Sequence, residues 1–290
     1  MFGARELGRA GGARNHSQQT GIYHMKKWAL MAVAAAAATM SATPAMADNG
    51  GYVGLRYSDG NVDQNFGGDY DVTSWQGEGE LGWNTGAWGG QVGATYGNVD
   101  LDGLGDTNFG TLNGHLFYGN DAWKIGGFIT YSTVDDFDVD EWNYGVEGAF
   151  NFGPDTTFYA SGSLGTLSSS SDDTDDWNVD LGVGHYFGDN FRVAGNIGWG
   201  SVQDFGIGSD ADTETYGINA EWQLSSAPVS FTAGYNVFNV DAGGLTADTD
   251  YFSIGARWNF GGSTLRERNN STPFTQPGGY GTRLYGVGTF

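Results

Sequence analysis

Large apolar residues and small or polar residues alternate with a period of two through most of the chain. In residues 141–153 (EWNYGVEGAFNFG), Trp142, Tyr144 and Val146 share one parity with two later phenylalanines, and small or polar residues hold the other parity. Successive side chains of a β-strand point to opposite faces of its sheet. The segment therefore predicts a strand with one apolar face and one polar face.

Segments of this kind recur often enough to predict an all-β chain of twelve strands. Most of them have 12 to 15 residues, whereas strands of soluble sheets typically have about 5 to 6. Tilted strands that cross a bilayer need about 9 to 11 residues plus their ends, so the lengths favour membrane-crossing strands. The predicted strands span residues 51–58, 72–84, 87–98, 107–118, 121–134, 138–152, 155–168, 174–187, 190–203, 211–224, 227–240 and 248–260.

The connections between the predicted strands alternate between short and long. Short turns are predicted at residues 84–87, 119–122, 152–155, 187–190 and 225–228, and the longer acidic loops include residues 59–71, 168–176 and 203–213. An even number of antiparallel strands, with short turns at one end and long loops at the other, is the plan of a bacterial outer-membrane barrel. We therefore predict an antiparallel transmembrane β-barrel with short periplasmic turns and long acidic external loops.

The two faces of the predicted strands differ in the way that a membrane barrel requires. One face carries residues such as Val92, Ile129 and Leu181, and the other carries residues such as Gln91 and Asn236. Aromatic residues of the apolar parity gather near both ends of the strands, where amphipathic rings meet the two lipid–water interfaces. A secreted β-sandwich, the alternative, would place its aromatic residues in mid-strand. The distribution favours a lipid-facing apolar surface around a polar lumen.

The N-terminal region contains the parts of a secretory signal peptide. Two lysines follow Met25, a short Ala-rich apolar stretch follows them, and the sequence AMA precedes Asp48. These are the three regions of a cleavable export signal, and the apolar stretch is too short to favour the alternative of a membrane anchor. We expect residues 1–24 to lie upstream of the true start, residues 25–47 to be the signal peptide, and residues 48–260 to form the barrel.

Composition excludes several kinds of partner and site. The chain has 290 residues, with 12 Lys and Arg against 34 Asp and Glu, and no Cys. Nucleic-acid binding needs clustered basic residues, so we expect no nucleic-acid partner. Without Cys there is no thiolate site, and no acidic loop has the spacing of a calcium-binding loop, so we predict no metal and no cofactor. We interpret the acidic loops as a solvated surface, with loose divalent bridging to lipopolysaccharide phosphates as the alternative.

Charged residues of the predicted strands concentrate on the parity that faces the lumen. A basic side chain at the bilayer midplane costs about 2 to 4 kcal/mol when it faces lipid, so the inward side is favoured. These charges either satisfy one another as ion pairs or form a constriction that selects solutes, and the two roles are compatible. The predicted lumen charges are Arg56, Glu78, Glu80, Lys124, Glu147, Asp180, Arg192, Glu221 and Arg257.

Residues 250–260, DYFSIGARWNF, alternate up to a terminal aromatic residue. The segment resembles the last strand of porin-like outer-membrane β-barrel proteins of Gram-negative bacteria. The resemblance implies a place in the outer membrane, contact with its lipid and lipopolysaccharide, and a signal that the barrel-assembly machinery reads. The chain departs from the family pattern by continuing after this strand, and we expect residues 261–290 to form a polar periplasmic tail. The residues that would carry the assembly signal are Phe252, Ile254, Trp258 and Phe260.

The lining of the lumen leads to the functional prediction. Gly, Ser, Thr and Asn dominate it, and few large side chains point inward, chiefly Phe117, Phe128, Tyr186 and Phe238. Because twelve strands enclose more room than the eight of a side-chain-filled barrel, we predict a porin-like channel for passive diffusion of small hydrophilic solutes, with a mild preference for cations. A structural or adhesive barrel with a closed lumen is the alternative. We expect no enzymatic activity, because neither histidine after residue 48 lies in a predicted external loop.

The signal-peptide interpretation predicts the mass of the mature protein. Protein extracted from the membrane should begin at Asp48, because the cleavage motif ends at Ala47. Intact-mass analysis checks this expectation. A mature chain that begins at Met1 or Met25 would contradict it.

Overall fold

The computed structural model describes residues 49–103, 105–135, 139–169, 173–203 and 209–274. Within these ranges the chain forms twelve antiparallel strands that close into one barrel, which confirms the predicted fold class. The predicted upstream segment 1–24, the predicted signal peptide 25–47 and the last part of the predicted tail, 275–290, lie outside the described residues. No helix within the described ranges is long and apolar enough to cross a membrane.

Each strand pairs with its neighbours in sequence, and the last strand returns to pair with the first. Closure leaves no free strand edge, so the backbone of each strand finds hydrogen-bonding partners on both sides, as a bilayer requires. The elements are β1 (Asn49–Gln64), β2 (Tyr70–Thr85), β3 (Trp88–Leu101), β4 (Gly105–Gly119), β5 (Trp123–Val134), β6 (Val139–Phe152), β7 (Thr156–Ser168), β8 (Asp173–Tyr186), β9 (Phe191–Val202), β10 (Ala211–Gln223), β11 (Val229–Ala242), β12 (Leu245–Phe260) and the short helix α1 (Leu265–Ser271).

The outward face of the barrel is apolar and exposed. Leu55 and Val146 are 66% and 68% exposed, and Trp75 and Trp88, near opposite ends of their strands, are also exposed. A soluble monomer rarely exposes a contiguous apolar surface of this extent, whereas lipid covers such a surface in a membrane barrel. The inward face through the middle of the barrel is polar and buried, with Gln76, Thr95, Asn113, Thr130, Asn143, Asn236 and Ser253 among its members.

The polarity of the two faces inverts at the barrel end opposite the short turns, beyond the aromatic residues that gather near the strand ends. In β1, Val62 is buried and Asp63 is exposed; in β11, Val240 is buried and Asp241 is exposed. The outward face here is acidic and the inward face apolar, as in a barrel surrounded by water. The strands therefore continue past the lipid, and much of the acidic segment predicted as a loop at residues 59–71 lies in β1 and β2.

Apolar side chains consequently line the lumen at this end in two clusters. Phe109 and Phe238 are completely buried at their centres. Buried polar residues such as Glu141 lie at the same level, opposite Leu167, so the lining here is mixed and apolar side chains fill part of the lumen. One cluster consists of Val62, Val72, Val99, Leu101, Phe109 and Val134, and the other of Leu167, Val202, Ala211, Phe238, Val240 and Ala242.

After β12 the chain turns back into the short-turn end of the barrel. Gly261 has a φ of 82°, which L side chains rarely adopt, and an added Cβ there would meet the carbonyl oxygen of Asn49. The following helix packs against β1, β2 and β12. The described part of the predicted polar tail therefore does not extend away from the barrel, because its apolar residues Leu265 and Phe274 are buried within it. We call residues 263–274 the inserted tail.

Paired substitutions on β8 test the assignment of the two faces. Leu181 is exposed on the outward face, and the adjacent Asp180 lies on the inward parity. Leu181→Arg should impair assembly, because a basic side chain that faces lipid near the midplane costs about 2 to 4 kcal/mol, and Asp180→Arg should assemble. The different gel migration of unheated and boiled samples reports the closed barrel. Normal assembly of Leu181→Arg with failure of Asp180→Arg would reverse the assignment.

Candidate functional site

A chain of buried ion pairs lies in the lumen. Arg56 Nη2 is 2.9 Å from Glu78 Oε2, and Arg257 Nε is 2.6 Å from Glu78 Oε1. Arg257 Nη1 is also 2.9 Å from Glu221 Oε2, and Arg268 Nη1 is 2.7 Å from Glu221 Oε1. All five side chains are buried. Buried charges are tolerated when their partners are well placed, and here each carboxylate has two guanidinium partners.

Barrel closure brings the first three of these residues together. On β1, Gly54 lies opposite Arg257 of β12 and opposite Glu78 of β2. A Cβ at Gly54 would lie 2.9 Å from Arg257 Cγ and 3.3 Å from Glu78 Oε1, so glycine leaves the space in which the two side chains meet. Tyr52, two residues earlier, has Arg257 Cζ at 4.1 Å from its ring centroid, which is a cation–π contact.

The inserted tail contributes the fifth member, Arg268. Its Nη1 and Nη2 atoms donate to the two carboxylate oxygens of Glu221 at 2.7 and 3.0 Å. Nη1 also donates to Asn259 Oδ1 at 2.6 Å, and Cζ lies 5.0 Å from the ring centroid of Tyr52. A two-point contact with a carboxylate, combined with an aromatic ring, suits the planar guanidinium better than an ammonium group.

Sequence reasoning assigned Arg268 to the tail and so missed it as a lumen residue. A local signal was present, because Thr264 and Glu267 have the T-x-x-E spacing of a helix capping box. Thr264 Oγ1 accepts from Glu267 N at 3.2 Å, and Glu267 Oε2 accepts from Ser263 Oγ and N at 2.7 and 2.8 Å. These bonds from Ser263 lower the pKa of Glu267. The contact therefore supports α1 at neutral pH and is lost as the pH falls through the lowered pKa.

Further polar contacts hold the inserted tail in the lumen. The carbonyl oxygen of Asn270 accepts from Lys124 Nζ at 3.0 Å. Gln91 bonds both backbone groups of Phe274, donating from Nε2 to the carbonyl oxygen at 2.8 Å and accepting from the amide at 3.3 Å. Lys124, one of the predicted lumen charges, thus binds the tail backbone.

Arg266 contacts the rim of the barrel. Its Nη2 is 2.6 Å from Asp155 Oδ1, and its Nε is 3.1 Å from Asp189 Oδ1. These aspartate side chains are 47% and 68% exposed. Solvent screens such pairs, so each should contribute about 0 to 1 kcal/mol, less than a buried pair. Arg266 also donates to two backbone carbonyl oxygens of the neighbouring turns, and its Cζ lies 4.8 Å from the ring centroid of Tyr186. The helix therefore presents one arginine to the lumen and another to the rim.

A second polar group of the lumen pairs His115 with Glu147. His115 Nδ1 lies 2.8 and 3.0 Å from the two carboxylate oxygens of Glu147, and Nε2 lies 3.2 Å from Asn113 Oδ1. The ring of Phe274 stacks nearly parallel to the imidazole, with centroids 6.1 Å apart. The inserted tail therefore reaches this pair as well. Within the described ranges, no three His, Asp or Glu side chains are grouped closely enough to hold a metal ion.

The other predicted lumen charges do not belong to the chain of buried ion pairs. Arg192 Nη2 donates to the hydroxyl of Tyr159 at 3.2 Å. Asp180 is half-buried on β8, and Glu80 on β2 hydrogen-bonds Thr272 of the inserted tail. Four of the nine predicted lumen charges thus belong to the chain of buried ion pairs, namely Arg56, Glu78, Glu221 and Arg257.

The residues predicted to carry an assembly signal lie along the last strand. Phe252, Ile254 and Trp258 are 50%, 50% and 56% exposed on its outward face. Phe260 ends the strand opposite Gly51 of β1, and a Cβ at Gly51 would lie 2.8 Å from the Phe260 ring. The four aromatic and aliphatic residues therefore share the lipid-facing parity.

The architecture has counterparts among solved structures. The COG4313 outer membrane channel from Pseudomonas putida F1 matches 75% of this chain and 97% of its own, with a TM-score of 0.56 and 16% identity. The chain has the fold of an outer-membrane β-barrel. The translocator domain of the autotransporter NalP from Neisseria meningitidis matches 82% of this chain and 97% of its own, with a TM-score of 0.48 and 11% identity. No protein-family model and no curated protein matches the chain.

Two arginines of the same helix test what holds the inserted tail. Arg268→Ala removes hydrogen bonds from a buried carboxylate, a loss of about 1 to 3 kcal/mol, whereas Arg266→Ala removes contacts at the rim, where its two carboxylate partners are solvent-exposed. Amides of residues 264–274 should exchange hydrogen about 5- to 150-fold faster in Arg268→Ala, and should be accelerated less in Arg266→Ala. Hydrogen–deuterium exchange mass spectrometry of the refolded barrel measures this. Equal acceleration in both variants would contradict the assignment.

Proposed function

We propose that the protein is a porin-like outer-membrane channel for passive diffusion of small hydrophilic solutes, narrowed at its short-turn end by the inserted tail. One observation carries the proposal: charged and polar side chains line the middle of a barrel whose outer face is apolar. Hydrophilic solutes need such a lining, and a lumen packed only for stability is built more easily from apolar residues. The fold shared with an outer membrane channel is in keeping with this function.

A mild preference for cations is part of the proposal. Exposed carboxylates at the end opposite the short turns, such as Asp63, Glu214 and Asp241, create a negative potential there. Within a Debye length of about 8 Å at physiological salt, that potential concentrates cations and repels anions. The ion-pair chain inside the lumen largely neutralises its own charges, so the acidic end sets the sign of the selectivity.

The proposed location is the bacterial outer membrane, reached by export with a cleavable signal peptide. The exposed apolar face supports contact with outer-membrane lipid. The outward residues Phe252, Ile254, Trp258 and Phe260 form the segment that the barrel-assembly machinery would read. Lipopolysaccharide would meet the acidic end of the strands, with divalent cations between its phosphates and the carboxylates.

A closed structural or adhesive barrel is the second candidate. The two apolar clusters around Phe109 and Phe238 favour it, because they narrow the lumen at one end while the inserted tail narrows the other. We do not propose an enzymatic role, since both ring nitrogens of His115 are already hydrogen-bonded, to Glu147 and Asn113, and His185 lies on the outward parity of β8. A catalytic histidine needs one nitrogen free to take a proton from a nucleophile.

Reversal potentials in planar bilayers test the channel and its selectivity. Across a salt gradient the current should favour cations, and the preference should weaken at 1 M salt, where the Debye length shortens to about 3 Å. The double substitution Glu78→Gln and Glu80→Gln should change conductance more than Asp173→Asn and Asp175→Asn, because the first pair is buried in the lumen and the second is exposed. Anion preference would contradict the selectivity, and no current in either wild type or Arg268→Ala would favour the closed scaffold.

A further inference from the structure

We propose that the lumen contains a binding site for the guanidinium group of small cationic solutes, and that Arg268 occupies this site as an internal substitute. The proposal rests on the proposed channel function and names a solute class for it. The site, here called the guanidinium pocket, consists of Glu221 on β10, Asn259 on β12 and Tyr52 on β1. All three residues belong to the barrel and none belongs to the tail.

Barrel residues hold the guanidinium pocket in shape. Glu221 accepts from Ser230 Oγ and from Arg257 Nη1, the latter at 2.9 Å. Asn259 Nδ2 donates to Gln223 Oε1 at 2.9 Å, which leaves its Oδ1 directed at the guanidinium. Because these supports lie on strands, the carboxylate and the amide stay in position when the tail withdraws.

The geometry of the pocket selects a guanidinium group by three features at once. Two parallel hydrogen bonds of 2.7 and 3.0 Å reach the carboxylate of Glu221, a third of 2.6 Å reaches Asn259, and the Tyr52 ring lies 5.0 Å from Cζ. A planar cation with several N–H groups satisfies all three features together. A neutral urea of the same shape lacks the charge, and a tetraalkylammonium ion lacks the donors.

Charge also favours a cation in the pocket. Arg268 brings a second guanidinium to Glu221, beside the one that Arg257 supplies. Arg192 lies opposite Glu221 on β9 and donates to the hydroxyl of Tyr159. Withdrawal of Arg268 leaves the buried carboxylate of Glu221 with one guanidinium partner fewer, which is costly. A solute that brings a guanidinium restores the lost contacts.

The inserted tail is attached in a way that permits exchange. Besides Arg268, it is held by the ion pairs of Arg266 at the solvent-exposed rim, by single hydrogen bonds such as Lys124 to Asn270, by the two bonds between Gln91 and Phe274, and by a few apolar contacts. The tail enters from the short-turn end, so its withdrawal opens the pocket toward that end. A solute that arrives there competes directly with Arg268.

Binding of methylguanidinium to the refolded full-length protein tests the proposal. Isothermal titration should give an affinity at least about tenfold higher for Arg268→Ala than for wild type, because the internal competitor is gone. Arg266→Ala, the matched control on the same helix, should raise the affinity much less, because Arg268 still occupies the pocket. The double variant Arg268→Ala with Glu221→Gln should lose most of the affinity for methylguanidinium that Arg268→Ala gains. Methylurea and tetramethylammonium should bind no variant measurably at the same concentrations.

A second measurement uses the wild-type protein and so does not depend on the folding of any variant. Methylguanidinium at millimolar concentration should speed hydrogen exchange of residues 264–274, and methylurea should not. The proposal is overturned if Arg268→Ala binds methylguanidinium no better than wild type, or if methylguanidinium leaves exchange in the wild-type tail unchanged. Binding without any bilayer current would refute the channel and keep the pocket; current without binding would refute the pocket alone.

Discussion

Backbone hydrogen bonding in a bilayer is the constraint on which the rest of this structure depends. Lipid offers no partner to a strand edge, so β1 must pair with β12, and that pairing fixes the register of the inward side chains on these two strands. The register places Arg257 and Glu78 on either side of Gly54, where no side chain intervenes. The ion-pair chain is thus a consequence of barrel closure, and a shift of one residue would turn its members toward lipid.

The polarity of the inward and outward faces inverts along the strands, because the surroundings of the barrel change from lipid to water. In the lower part of β1, Leu55 faces lipid and Arg56 faces the lumen; in the upper part, Asp63 faces water and Val62 faces the lumen. The inverted upper part gains a core of its own, whose apolar clusters are held by the hydrophobic effect. Such clusters open at a high cost, so a change in the width of the lumen is more readily made at the polar end, where the inserted tail lies.

Sequence reasoning predicted the barrel, its strand number and the lumen parity because all three follow from a period of two. It read the strand extensions as loops because the apolar parity changes between Leu55 and Val62, which resembles the end of a pattern. It missed Arg268 for a different reason. Arg268 reaches Glu221 and Asn259 because of the path that the polypeptide takes after Gly261. Periodicity carries no information about that path.

The inserted tail contacts the barrel wall chiefly through polar groups. A tail held by a large apolar surface would fill the lumen permanently, whereas this tail buries chiefly Leu265 and Phe274 and otherwise makes polar contacts. Its one buried charge joins a carboxylate that shares Arg257 with Glu78. Because hydrogen-bonded charges polarise one another in a low dielectric, removal of Arg268 from Glu221 changes the charge distribution along the whole chain of ion pairs. The tail therefore acts on the lumen through electrostatics as well as through the space that it fills.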